Sequence, residues 1–309
     1  MRAAVATRFD VDNPLAGLEV RDLETPPTPG WARVHVRAAS FNHHDIWTLR
    51  GLSGHRVDPP LVLGTDAAGV TDDGQEVIVH AVVAPGLLLS ERAPGTLADR
   101  VFAPAENLIP KPAELSFAEA ACLPTSYLTA FNMLFGKARL IPGEHVLIQG
   151  AGGGVSTAAV LLATAAGLEV TVTSRDEERL RRARELGAHH AIVTGQQLSD
   201  RVDAVLETVG AATWAHSLRS VRPGGRIVVA GATTGFDPSA ELPHLFLRDV
   251  DVLGTFMGSP EQLGLLANML ATTGVRPLID SVRPLDDITE AAERMVAGKA
   301  FGKLVVEIS

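Results

Sequence analysis

The stretch that most limits what this chain can become is His145 to Arg175, HVLIQGAGGGVSTAAVLLATAAGLEVTVTSR. His145 to Gln149 is a short apolar run, and Gly150 to Gly154 permits a tight backbone turn that bulkier residues would block. Val155 to Ala166 holds neither Gly nor Pro and is rich in Ala and Leu. Gly167 stops that helix just before the β-branched run Val170 to Thr173. The order is strand, glycine turn, helix, strand. Such a turn presents unpaired backbone N–H groups, with the positive end of a helix dipole, to a phosphate. A glycine cluster by itself also serves as a merely tight turn. Its placement between strand and helix, with a second strand on schedule, points to a dinucleotide pyrophosphate.

The alternation continues downstream. A helix is expected from Asp176 to Leu186, strands at Ala191 to Val193 and Val202 to Glu207, and a helix from Thr213 to Ser220. The turn Arg222 to Gly225, the strand Arg226 to Gly231 and the strand Asp251 to Phe256 follow. Alternating strands and helices predict an α/β fold with a doubly wound parallel sheet of the Rossmann kind, binding ligands at the carboxyl ends of its strands. Its domain is expected to span 116–274, because Ser116-Phe-Ala-Glu119 is a capping box that opens a helical run through Leu123. Upstream, MRAAVA, WARVHVRAAS, LVLGTDAAGV and QEVIVHAVV pattern as strands of a β-rich domain, with a short helix or turn at Asn42 to Leu49. Ser259-Pro260-Glu261-Gln262 starts a further helix, and another runs from about Thr289 to Ala297. The closing GKLVVEI is a strand too short to stand alone, so 275–309 is expected to return to the sheet of 1–115.

Composition bounds the function. At 309 residues the chain has room for about two domains. A formal charge of −9 argues against nucleic acid as a partner, since phosphate backbones demand clustered Lys and Arg. The arginines of ERLRRARELG form one helix with alternating charge. The single cysteine, Cys122, excludes an intrachain disulfide and a structural zinc built on several thiolates, and fits a reducing cytoplasm. No apolar run reaches the length of a membrane span and no secretory leader is read, so no membrane partner is expected.

With these features in place, the chain resembles the medium-chain dehydrogenase/reductase superfamily, in its zinc-free quinone oxidoreductase-like branch. The residues that carry the likeness run nearly end to end: AASFNHHDIWTLRG, LVLGTDAAGV, GTLADRVFAPAENLIPKP, AACLP with Leu128-Thr-Ala130, IPGEHVLIQGAGGGVS, LGAHHAI, VDAVLETVG, RPGGRIVVAG and FGKLVVEI. Each is weak alone, and their joint order is specific. The resemblance implies a discontinuous GroES-like β-rich domain around a Rossmann domain. Zinc-dependent relatives place a cysteine where this chain has Asn42 and Gly-His-Glu where it has Gly64-Thr65-Asp66. They also carry a four-cysteine lobe where it has a short loop from Ala84 to Gly95. No metal is therefore expected, and loop or packing roles are read for His43, His44, His55 and His80.

NAD-specific folds end the second strand on a carboxylate; here the residue is Ser174, followed by Arg175. Arg175, with Arg179 one turn on, can pair with the 2′-phosphate of NADPH, the cofactor expected. Ser174-Arg-Asp-Glu177 is also a capping box, a role compatible with the first. Gly150, Gly152, Gly153, Gly154 and Val155 are expected at the pyrophosphate, with Ser156 where the family has its last glycine. By resemblance Thr129, Thr208, Val209, Gly231, Ala232, Phe256, Met257 and Gly258 complete the cofactor site.

Without a metal, a hydride acceptor must be activated by hydrogen bonds or by its own electron deficiency, as quinones and α,β-unsaturated carbonyls are. Asn42 is expected to donate to the developing oxyanion and His44 to supply a proton, with Asp45 and Tyr127 nearby. Packing is the competing role for His44, and holding the loop for Asp45. The alternatives are a carbonyl or imine reductase or alcohol dehydrogenase of a specialised pathway, and a non-catalytic NADPH-binding protein. A homodimer through the sheet edge at Val250 to Phe256 follows from the resemblance.

Overall fold

A computed structural model describes residues 1–52, 58–85 and 87–308, so His55 and Gly86 of the expected loops lie outside the described residues. The chain divides into two compact units, one of residues 1–126 with 259–309 and the other of residues 127–258. These boundaries lie inside the 116–274 span read from the sequence. The helices Phe117–Ala120 and Pro260–Thr273 fall within the first unit.

The first unit is built on the strand Ala32–Phe41. Its burial alternates over the first half and is complete from Ala38 onward, so one face starts in solvent and the strand ends in the core. It pairs antiparallel with Ala67–Thr71, with Arg100–Ala103 and with the closing strand Lys303–Glu307. The closing strand runs parallel to Ile279–Pro284. The C-terminal segments thus return to the first sheet, as the short GKLVVEI requires. Gly302 makes the approach possible: at φ +107°, a Cβ there would lie 2.5 Å from the Leu278 carbonyl oxygen. The helix Pro260–Thr273 starts on the Ser259/Gln262 capping box with proline in its first turn and stops at Gly274 in the left-handed region. It buries Leu263, Leu266, Ala267 and Leu270.

The second unit confirms the doubly wound reading. Among the described residues its six strands run parallel in the order His190–Val193, Glu169–Ser174, His145–Ile148, Val202–Glu207, Val221–Val229, Asp251–Gly254. The order reverses between His145–Ile148 and Val202–Glu207, where such sheets bind their ligands. Two expectations need correction. The Arg222–Gly225 turn is a bulge inside a strand: Val221 pairs with Val202 and Arg226 with Ala204. The helical run from Ser116 does not end at Leu123. It continues through wide, five-residue turns at Leu123–Tyr127 and Asn132–Lys137, on either side of the α-helical turn Leu128–Phe131. A proline at 124 reads as a stop, yet a wider turn accommodates the lost backbone donor.

Candidate functional site

In the first unit the chemistry-bearing residues gather at the end of the strand Ala32–Phe41. Asn42 caps the helix His43–Leu49, and the Asp45 carboxylate accepts from the Asn42 backbone N–H at 2.7 Å and from Gly64 N–H at 2.9 Å. Asp45 is fully buried, and burial pushes its pKa up to about 6. It holds the Asn42 and Gly64 turns together, the looser of the two roles expected of it. His44 is partly exposed; its Nε2 lies 3.1 Å from Glu91 Oε1, while its Nδ1 is buried without a hydrogen-bond partner.

Behind Asn42 lies a buried polar cluster that no motif signals. Leu304 sits opposite Phe41 in the ladder, which brings the next pair, Lys303 and Asn42, side by side. Lys303 Nζ lies 2.5 Å from Asn42 Oδ1, 3.0 Å from Asp66 Oδ2 and 3.3 Å from Ser126 Oγ. Asn42 Nδ2 donates to Asp66 Oδ2 at 2.9 Å and approaches Thr65 Oγ1 and the Ser40 carbonyl at 3.3 and 3.4 Å. The amide nitrogen faces a carboxylate and the amide oxygen an ammonium, so the network fixes the orientation of the group. Both amide protons of Asn42 are committed inside the cluster. The donation expected from it toward a substrate oxygen requires it to release one of them. Ser40 Oγ donates to Asp66 at 2.6 Å, and Asp66 Oδ1 is buried without a partner. Cys122 is buried beside the cluster, its thiol pushed up to about 12 by desolvation, and is no nucleophile.

In the second unit the glycine turn has the geometry a phosphate needs. Gly150 and Gly152 take φ of +82° and +99°, and a Cβ on Gly150 would meet Val209 Cγ2 at 2.9 Å. The helix Gly154–Ala165 begins at Gly153 with no side chain capping it, leaving its first N–H groups open to an anion. Ser156 turns its hydroxyl back onto the Gly153 carbonyl at 3.0 Å and is buried, so serine fits where the family has glycine.

At the end of the second strand, the capping expectation for Ser174 is wrong. Asp176 caps the helix Glu177–Glu185, accepting from Glu178 and Arg179 N–H, whereas Ser174 still belongs to the strand and accepts from Asp176 N–H at 3.1 Å. Arg175 is exposed, and Arg179 reaches back to the Ala151 carbonyl of the glycine turn at 3.0 Å. That guanidinium ties the start of the helix Glu177–Glu185 to the glycine turn, while Gly150 and Ala151 N–H bond the turn to Thr173 of the strand.

The loops after the later strands are held by a second buried network, also absent from any motif. The Glu207 carboxylate accepts from Val209 N–H at 2.8 Å, Gly210 N–H at 3.0 Å, Thr213 Oγ1 at 2.9 Å and Ser217 Oγ at 2.7 Å. Gln149 Nε2 donates to Ser217 Oγ and His216 Nδ1, its Oε1 accepts from Thr173 Oγ1, and Thr173 accepts from Gly150 N–H. His216 Nε2 then donates to the Gln196 carbonyl, the tautomer its partners demand, and desolvation lowers its pKa so that it stays neutral. One chain of hydrogen bonds thus joins the Gly150 turn to the Val209–Gly210 turn. Gly231 abuts Thr208, whose carbonyl oxygen would lie 3.2 Å from a Cβ there, and Ala232 lies against Gly210. Asn132 donates to Thr255 Oγ1 at 2.8 Å and to the Met257 carbonyl at 2.7 Å, holding the Phe256–Gly258 segment. Tyr127 and Thr129 are both buried.

Sequence reasoning missed Lys303, Ser126, Glu91, Gln149, Glu207 and Asn132. Gln149 and Glu207 each carry one readable signal, a polar residue at the carboxyl end of a largely apolar strand.

Comparison with known proteins agrees with this architecture. A family model described as an alcohol dehydrogenase GroES-like domain matches residues 28–113, and one described as a zinc-binding dehydrogenase matches residues 154–272. A zinc-type alcohol dehydrogenase-like protein of Schizosaccharomyces pombe is 31% identical over 346 residues, covering 98% of this chain and 100% of that protein. Quinone oxidoreductase of Mus musculus is 25% identical over 292 residues, 88% of each chain. Among solved structures, an NAD-dependent alcohol dehydrogenase matches with a TM-score of 0.90 and 32% identity over 100% of both chains.

Proposed function

The chain belongs to the medium-chain dehydrogenase/reductase superfamily, and on that premise we propose that it is an NADPH-dependent, zinc-independent oxidoreductase that reduces a quinone or an α,β-unsaturated carbonyl. It is an oxidoreductase of a fold that binds a nicotinamide cofactor. When bound, that cofactor supplies a hydride. The glycine turn and the uncapped helix after it would hold the pyrophosphate through backbone N–H groups of Gly152 to Val155. Ser174, Arg175 and Arg179 would take the 2′-phosphate, with no carboxylate at the strand end to repel it. Thr129, Thr208, Val209, Gly231, Ala232 and Phe256 to Gly258 would line the rest.

The observation that carries the substrate reading is the donor set around Asn42. It does not fit a catalytic zinc. The cluster contains one carboxylate, no imidazole and no thiolate, and a lysine ammonium already lies 3.0 Å from that carboxylate. Among the described residues, no group of three His, Cys, Asp or Glu side chains could hold a metal ion. An acceptor activated by its own conjugation matches such a wall, with His44 as the proton donor, Glu91 orienting its ring, Asp45 holding the loop, and Asn42 bordering the acceptor. The zinc-type name of the fission-yeast relative and the alcohol dehydrogenase neighbour favour a second reading, an alcohol dehydrogenase or carbonyl reductase.

NADPH oxidation against a panel of quinones, enones, aldehydes and imines, with and without added zinc, separates the two. Turnover of quinones or enones in the presence of chelator is expected; activity confined to aldehydes and dependent on zinc would overturn the proposal. Asn42→Ala is expected to lower turnover more than NADPH affinity.

We further place the protein in the cytoplasm as a homodimer. No helix among the described residues is long and apolar enough to cross a membrane. The last strand of the parallel sheet, Asp251–Gly254, has a sheet partner on one side, and Phe246, Leu247, Val252 and Phe256 stand exposed around it. A second copy pairing along that edge would cover them, and light scattering would report twice the chain mass.

A further inference from the structure

Asp66 is fully buried, and a buried carboxylate without an opposite charge is costly. Lys303 is 2% exposed and supplies the opposite charge. Its three ammonium protons have three acceptors, Asn42 Oδ1, Asp66 Oδ2 and Ser126 Oγ, and none is left over. The three acceptors come from far-apart parts of the sequence, and the ammonium holds them around one centre as a metal ion holds its ligands.

We propose that Lys303 is the internal cation of this site: it occupies the charge position of a metal, keeps divalent ions out, and acts as a positioning residue that locks the Asn42 amide and polarises the Ser126 hydroxyl. This rests on the reductase reading only for its effect on turnover; the exclusion of metal and the locking of Asn42 stand apart from it. The ammonium cannot itself bond a substrate oxygen while its three acceptors stay in place. Its influence passes through Asn42 and Ser126, whose oxygens it contacts. Asp66 Oδ1 is buried without a partner, and the contacts of the carboxylate converge on Oδ2, the oxygen that faces the ammonium.

The test uses the full chain and three variants, Lys303→Met, Lys303→Arg and the double variant Lys303→Met with Asp66→Asn, which removes both charges and guards against loss of the fold. Wild type equilibrated with excess zinc and desalted is expected to carry well under one zinc per chain by atomic emission. The side-chain amide protons of Asn42, followed by NMR, are expected to exchange at least tenfold faster in the double variant than in wild type. In turnover, Lys303→Met and the double variant should lose at least tenfold in kcat, with NADPH affinity within twofold of wild type and partial recovery in Lys303→Arg. One tightly bound zinc in wild type, unchanged amide exchange, or a folded double variant with kcat within twofold of wild type would overturn the inference. If wild type reduces nothing on the substrate panel, the reductase reading fails by itself, and the zinc and amide-exchange measurements still decide this one.

Discussion

The two buried polar networks solve the same problem by opposite means. Around Asn42, a carboxylate and an ammonium face each other within the first unit, so the cluster is held by charge against charge. Around Glu207, in the second unit, a single carboxylate is satisfied by two backbone N–H groups and two hydroxyls, with no cation in contact. A charged pair buried together has paid two desolvation costs, so losing either partner strands the other. A carboxylate ringed by neutral donors loses one bond at a time. The first arrangement suits a wall that must hold one electrostatic state. The second suits loops whose backbone must be placed.

The largest test of that contrast is Asp66→Asn. It leaves the Lys303 cation buried without a counterion and is expected to cost about 3–5 kcal/mol, measured by urea unfolding at pH 7.5. Cys122 offers a local reading of the same event. With its pKa near 12 it should resist thiol reagents at pH 8 in the wild type, and label more than about a hundredfold faster in Asp66→Asn as the surrounding cluster opens. A cost under about 1 kcal/mol would mean that the pair contributes no more than a surface salt bridge does.

Asp45 sharpens the comparison with a carboxylate in the same unit that has backbone donors but no cation in contact. Its folded pKa, about 6, lies above its ordinary value of 3.8 because burial disfavours the charge. The folded state therefore binds the proton more tightly than the unfolded state does. The stabilising contribution is fully present below pH 3.8 and is lost as pH rises through 6. The difference amounts to roughly 3 kcal/mol at 1.36 kcal/mol per pKa unit. Stability measured against Asp45→Asn across pH 4 to 7 should show wild type gaining on acidification. A flat difference would place Asp45 in a more hydrated setting than its burial indicates.

Local pattern carried much of this fold into the sequence, and pairing distant in sequence did not. The Gly150 turn, the Ser259 cap and the return of GKLVVEI to the first sheet are legible because each depends on a few consecutive residues or on a strand too short to stand alone. Lys303 is invisible for the opposite reason. Its meaning comes from a register that sets Leu304 against Phe41, and no spacing within FGKLVVEI contains that. The Ser174 capping error has a related cause. Both Ser174 and Asp176 carry cap-forming side chains, and the choice is made by strand pairing, because Ser174 lies opposite Val193 in the parallel sheet and cannot also start a helix. The family pattern points to Asn42 as a donor to substrate. The partners that occupy both its protons come from elsewhere in the chain.

Glu207→Gln tests the neutral-donor network directly. The amide keeps one acceptor oxygen for a site that offers four donors, so at least one buried donor loses its partner at a cost of about 1–3 kcal/mol. Because Val209 and Gly210 are held by this carboxylate, the affinity for NADPH should fall along with stability, which separates it from Asp66→Asn, where NADPH affinity should hold. Equal costs for the two substitutions would erase the distinction between a charged pair and a ringed carboxylate.

The smallest effect asks whether the second unit leaves one helix end open on purpose. Asp176 caps the helix Glu177–Glu185 with two backbone bonds, whereas the helix Gly154–Ala165 starts at Gly153 with none. Gly153 has φ −71°, is exposed, and a Cβ there would come no nearer than 3.6 Å to Ser156 Oγ, so a larger residue fits without strain. Gly153→Asp therefore gives this helix the cap its neighbour has, and the apo protein should gain a few tenths of a kcal/mol. The same carboxylate would occupy the N–H groups proposed for the pyrophosphate and repel its charge, so NADPH affinity should fall more than about tenfold. Stability and affinity moving in opposite directions is the signature of an anion site; a variant that gains stability and keeps its affinity would mark the glycine turn as structural alone.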